Sequence, residues 1–222
     1  MSRTKRIISV VLVATFALLP LHAQEWKLVE ASELWLSGTS SVNSFQCEAM
    51  SMVFDYDAAR DIEGSGFSLP GMALVVPVQD LDCDNRRMNR DMRNTMRADD
   101  HPEIRLEVHR IDLVPEPTSV ITNQADLEQP PAPEIEVHGK MALAGVSRDI
   151  VIRVRGWLDE SLRLHGTGTL AVKMTDFGME PPTALFGLIK AHDDIRIRFH
   201  LVAESSGKLS QVLVSRSQIA GG

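Results

Sequence analysis

Apolar and polar side chains alternate with a period of two in segment after segment of this chain. Ile104, Leu106 and Val108 share one face against Arg105, Glu107 and His109. Ile135, Val137, Gly139, Met141 and Leu143 oppose Glu136, His138 and Lys140, and Ile150, Ile152 and Val154 oppose Val151, Arg153 and Arg155. Leu162 to Met174 forms the longest stripe, and Ile195, Ile197, Phe199 and Leu201 form the last. Such a pattern fits strands buried on one face and not helices, whose apolar positions recur every three to four residues. The phase slips at Arg110-Ile111, which predicts a bulge. Less regular strands are expected near 27–38, 45–56 and 72–81, making about eight. A strand from Leu162 to Met174 would run roughly 40 Å at about 3.4 Å per residue, longer than a sandwich needs. Its glycines at 166 and 168 permit bending or close approach. The expected fold is therefore all-β: an antiparallel eight-stranded barrel with one short helix inserted.

The helix is expected where alternation stops. Between Asn85 and Ala98, Met88, Met92 and Met96 recur every four residues, and arginines cover the remaining surface. The stretch Pro115–Pro133 reads as an excursion rich in proline and polar residues, Pro181–Gly187 as a turn, and 205–222 as a flexible tail.

Residues 1–23 stand apart from this pattern. A basic start (Arg3, Lys5, Arg6), an apolar run from Ile7 to Leu21 and the small residue Ala23 have the layout of a secretory signal. The run is shorter than the roughly 20 residues of a membrane span, so the mature form is expected to have no stable span and to be periplasmic or secreted after cleavage near Ala23. Residues 24–204 then form the barrel domain. Loss of three cations leaves 20 basic against 30 acidic side chains, a balance of −10, which disfavours nucleic-acid binding. In an oxidising compartment Cys47 and Cys83, the chain's two cysteines, are expected to pair. A closed loop of about 37 residues is worth roughly 4 kcal/mol by chain entropy.

No nucleophile elbow, zinc-protease motif, phosphate loop or dinucleotide fingerprint occurs, so no catalytic residue is assigned and the chain is read as a non-enzyme. His109, His138, His165 and His200 fall on polar faces and are expected to be solvent-exposed; no ligand spacing supports a metal site. Aromatic residues make up only 5%, so the inward stripes are mostly aliphatic. An eight-stranded barrel is just wide enough to be filled by side chains or to hold one ligand. Val108, Met141, Ile152, Leu164, Leu170, Met174 and Phe199 are the candidate lining of such a space, with Met88 and Met92 near an entrance. The alternative is a filled barrel serving as a non-binding extracellular interaction module. A homodimer is compatible with either.

Several segments together resemble the YceI-like family. Leu143-Ala144-Gly145-Val146-Ser147-Arg148-Asp149-Ile150 is similar to that family's "L-x-G-V-T-R-x-V" hairpin. Arg90-Asp91-Met92 followed by His101-Pro102-Glu103-Ile104 resembles its helix-to-strand passage. Gly38–Phe45 and Thr175-Asp176-Phe177-Gly178 fit its opening and closing regions, so the likeness spans about 35–201. The resemblance implies a lipocalin-like barrel with a long apolar tunnel for a polyisoprenoid, an isoprenoid quinone or a related amphiphile. It implies no catalytic residues and no cofactor beyond such a bound lipid. Cys47, Cys83 and the proline-rich excursion depart from the family's pattern.

Overall fold

Each alternating segment becomes a strand in the computed structural model, which describes residues 26–64, 69–114, 134–184, 186 and 188–205. In chain order the elements are β1 (Trp26–Leu28), β2 (Glu33–Ser40), β3 (Ser44–Ala49), β4 (Val53–Gly64), β5 (Leu69–Pro77), β6 (Leu81–Asp82), α1 (Arg86–Thr95), β7 (Glu103–Leu113), β8 (Glu134–Leu143), β9 (Val146–Leu158), β10 (Leu164–Lys173), β11 (Thr183–Ala184) and β12 (Ile189–Ser205). They form one sheet in the order β4-β5-β7-β8-β9-β10-β12-β2-β3-β6, with β1 and β11 added to β12. All pairings are antiparallel except a short parallel contact of Glu63 and Gly64 with Arg110 and Ile111.

The sheet curls into a barrel whose seam is not a strand ladder among the described residues. The Tyr56 hydroxyl spans it instead, accepting from the Trp26 backbone N–H at 2.7 Å and donating to the Trp26 carbonyl. β1 on β12 is thereby fastened to β4.

Among the described residues the all-β barrel with one helix is as expected, but twelve strands replace eight. Three expected strands each split, 27–38 into β1 and β2, 45–56 into β3 and β4, and 72–81 into β5 and β6, and β11 is added. β1, β6 and β11 are two or three residues long, too short to display a period. The stripe from Leu162 to Met174 is also shorter as a strand. Leu162 takes φ 61° in the preceding turn, and Met174 begins a 3₁₀ turn ending at Phe177. Expected positions for 1–23, the proline-rich excursion and the tail from 206 lie outside the described residues.

The bulge is present: the β7–β8 register shifts between Val108 and Arg110. β9 pairs with β10 over only five positions, Leu158↔Leu164 to Val154↔Gly168, while β10 keeps all ten with β12. Where β9 and β10 part, Arg148 Nε donates to the Asp176 carbonyl at 2.8 Å and ties β9 to the 3₁₀ turn. Phe177, Val78 and Leu81 are fully buried.

α1 begins at Asn85, whose Oδ1 accepts from the N–H groups of Arg87 and Met88 at 3.0 and 3.1 Å. Met88 and Met92 are half-buried and Met96, just past its end, is buried. No residue within the helix is fully buried, so it is held by few apolar contacts. The expected Cys47–Cys83 disulfide is formed and joins β3 to the approach to α1.

Candidate functional site

The inward faces of the strands enclose an apolar cavity of about 260 Å³. Six expected lining residues stand on it: Val108, Met141, Ile152, Leu164, Leu170 and Phe199. Leu164 is at its edge, 41% exposed. Met88, Met92 and Met174 do not reach this cavity. They line a second apolar space of about 410 Å³, a groove between α1 and the ends of β2, β3, β10 and β12.

One row of side chains divides the two. Leu170 pairs with Ile197, Ile197 with Leu36, and Leu36 with Cys47, across β10, β12, β2 and β3. Directly opposed residues of a ladder point to the same face. Leu170 and Ile197 face the cavity, Cys47 faces the groove, and Leu36 lines both. The next inward residues on these strands, Val172 and Ile195, line the groove. The two spaces thus share Leu36, whose ladder neighbours Leu170 and Ile197 face the cavity.

The tiers on either side are kept open by glycine. Phe199 lies over Gly168: a Cβ there would stand 2.5 Å from the ring. Phe45 lies over Gly38 in the same way, again at 2.5 Å. Each aromatic ring fills the space a side chain would take, and so lies against the wall.

Trp26, Phe54 and Tyr56 also line the cavity and were not foreseen. The parity of Met52, Phe54 and Tyr56 against Asp55 and Asp57 carries that signal, but the turn inside 45–56 obscured it.

The outer wall is polar. Arg105 reaches Asp55 at 2.7 Å across β5, and this hydrogen bond raises the guanidinium's pKa above its ordinary value. A hollow of about 580 Å³ outside the sheet is bounded by Arg153, Arg155 and Arg198, with Arg153 paired to Glu136 at 3.2 Å and Arg155 to Glu134 at 3.5 Å. It lacks the apolar lining of the other two spaces.

His165 departs from expectation. Its ring stacks on Trp157 with centroids 5.0 Å apart, meets His200 at 3.0 Å and Asp159 at 3.1 Å, and is only 14% exposed. A tryptophan on the adjacent strand covers it, which period-two parity cannot foresee. Among the described residues no three His, Cys, Asp or Glu side chains gather where they could hold a metal.

A curled antiparallel barrel with an apolar interior and one helix at its end, among the described residues, defines a lipocalin-like fold. The YceI-like domain profile matches residues 29–203, and the chain belongs to the YceI-like family. Similar solved structures include BcnA of Burkholderia cenocepacia, at 13% identity, TM-score 0.57, covering 78% of this chain and 96% of that one. A polyisoprenoid binding domain from Saccharophagus degradans, implicated in plant cell wall breakdown, aligns at 13% identity and TM-score 0.56, covering 82% and 98%. At these identities the likeness is one of fold. No curated protein matches the sequence.

Proposed function

We propose that this protein is an exported, non-catalytic carrier that holds one long-chain isoprenoid-type lipid, a polyprenyl chain or quinone, threaded from the barrel cavity into the groove beside α1. The observation that carries this reading is the pair of apolar spaces meeting at Leu36. The cavity is lined almost wholly by apolar side chains, where water finds few hydrogen-bond partners, so an apolar occupant is favoured over water. A space of about 260 Å³ is also not filled by the barrel's own side chains, which weighs against the non-binding module.

The printed description of the Saccharophagus relative supports an isoprenoid as the ligand class. The signal-like segment 1–23 and the Cys47–Cys83 bond support a periplasmic or secreted location. Gently purified protein should release an extractable long-chain lipid, and its stripped form should melt at a lower temperature and recover on adding a polyprenol. Native mass spectrometry showing an empty protein that also fails to take up the polyprenol would remove this reading.

A further inference from the structure

The rim of the groove carries apolar side chains that no packing explains. Phe186 is fully exposed, Leu188 79% and Val42 63%. Val42 lines the groove, whereas Phe186 and Leu188 line neither apolar space. They lie between β11 and β12, beside the groove-lining Thr183 and Ile189. The first half of α1 also borders the groove, with Arg87 and Asp91 on the lining, 3.7 Å apart, and Arg90 3.9 Å from Asp91. Lys190 is exposed and joined through its backbone to Ser41, next to Val42. Exposed Arg86, Arg87, Arg90 and Lys190 against Asp84, Asp91 and Glu180 leave this rim one positive charge in excess on a chain whose formal charge is −7.

We propose that this rim docks on the surface of a lipid bilayer bearing anionic headgroups, with Phe186 and Leu188 entering the interface and Arg87, Arg90 and Lys190 against the phosphates. Exposed apolar side chains next to cations are the arrangement that binds such interfaces. Each cation near an anionic surface is worth about fivefold in affinity. The acidic remainder of the chain is repelled by the same surface, which orients the groove toward the membrane. β12 runs 17 residues from this rim to Ser205, where it pairs with Trp26, so both ends of the described chain leave from the far end. The docking surface stands on exposure and charge; its use, passing a lipid between membrane and groove, rests on the carrier reading.

The test is co-sedimentation of the full protein with vesicles of equal parts phosphatidylcholine and phosphatidylglycerol, against vesicles of phosphatidylcholine alone. Phe186→Ser with Leu188→Ser should weaken binding to the anionic vesicles at least tenfold. Arg90→Gln with Lys190→Gln should weaken it more than tenfold there and leave the neutral vesicles unaffected. Both variants should take up a polyprenol from detergent micelles as the wild type does. Wild-type binding by the Phe186/Leu188 variant, or equal binding to both vesicle types, overturns the proposal. So does a wild-type dimer in solution that the variant converts to monomer without change in vesicle binding, which would assign the rim to a second copy of the chain. Wild type that binds the vesicles but takes up no polyprenol would leave docking standing and remove the carrier reading.

Discussion

Single atoms decide whether the interior is open. At Gly139 an added Cβ would stand 2.3 Å from the Glu107 carbonyl oxygen, a backbone atom beside the β7 bulge with no rotamer to escape into. At Gly38 the nearest atoms are the tips of Phe45, at 2.5 Å, and Ile195, at 2.9 Å, both side chains bordering the groove. Two alanine substitutions of equal size should therefore behave differently. Gly139→Ala should lower stability by about 1–3 kcal/mol, as overpacking does when the backbone must shift, with little selective effect on ligand. Gly38→Ala should cost less stability but turn Phe45 into the groove and weaken uptake of a long polyprenol. Urea denaturation paired with a polyprenol-binding titration separates the two. Equal loss of stability with unchanged binding would mean that the rings do not hold the space open.

At the scale of the elements, the β9–β10 hairpin shows how a turn acquires a pH dependence. Asp159 accepts from the backbone N–H groups of Ser161 and Arg163 at 2.8 and 3.0 Å, and from Arg163 Nε at 2.7 Å. The Arg163 backbone bond, then the His165 ring, hold its carboxyl well below the usual carboxylate pKa. A depressed folded-state pKa adds stability that is fully present above the unfolded value, near 3.9, and is lost as pH falls through the folded one. Asp159→Asn should thus melt below the wild type at neutral pH, and the difference should shrink as pH drops below about 4. A melting difference that persists unchanged at pH 2 would contradict that origin. The strands around this turn are legible in sequence because Ile150, Ile152 and Val154, and Leu164 onward, alternate with the opposite face, whereas the adjacent Trp157 and Leu158 break that alternation. Leu162 fits the parity of the strand, but its backbone turns at φ 61° and lies before β10. The division of 45–56 was missed for the opposite reason, since Met50, Met52 and Val53 look continuous while the chain bends between strands. Six of the seven expected lining residues stand on the cavity, because strand parity sets the face. Which end of the barrel α1 covers depends on tertiary packing, and so Met88, Met92 and Met174 stand together at the groove instead.

For the molecule as a whole, the length of ligand depends on whether two spaces act as one. The cavity of about 260 Å³ and the groove of about 410 Å³ together offer more than twice the space of the cavity alone, and a long chain needs both. The two spaces meet at Leu36, on the tier it forms with Leu170 and Ile197. Leu36→Trp places an indole at the junction without touching the lining deep in either space. It should leave binding of a short, ten-carbon-class isoprenoid near the wild-type value, while binding of a long polyprenol falls at least tenfold, about 1.4 kcal/mol. A stability control is needed because Leu36 is buried, 5% exposed, and overpacking there carries its own cost; comparing the two ligands on the same variant cancels it. If the long and short chains weaken by the same factor, the groove is not part of the path. The lipid would then have to sit in the barrel alone, with the remainder of its chain leaving past Leu164 at the opposite mouth.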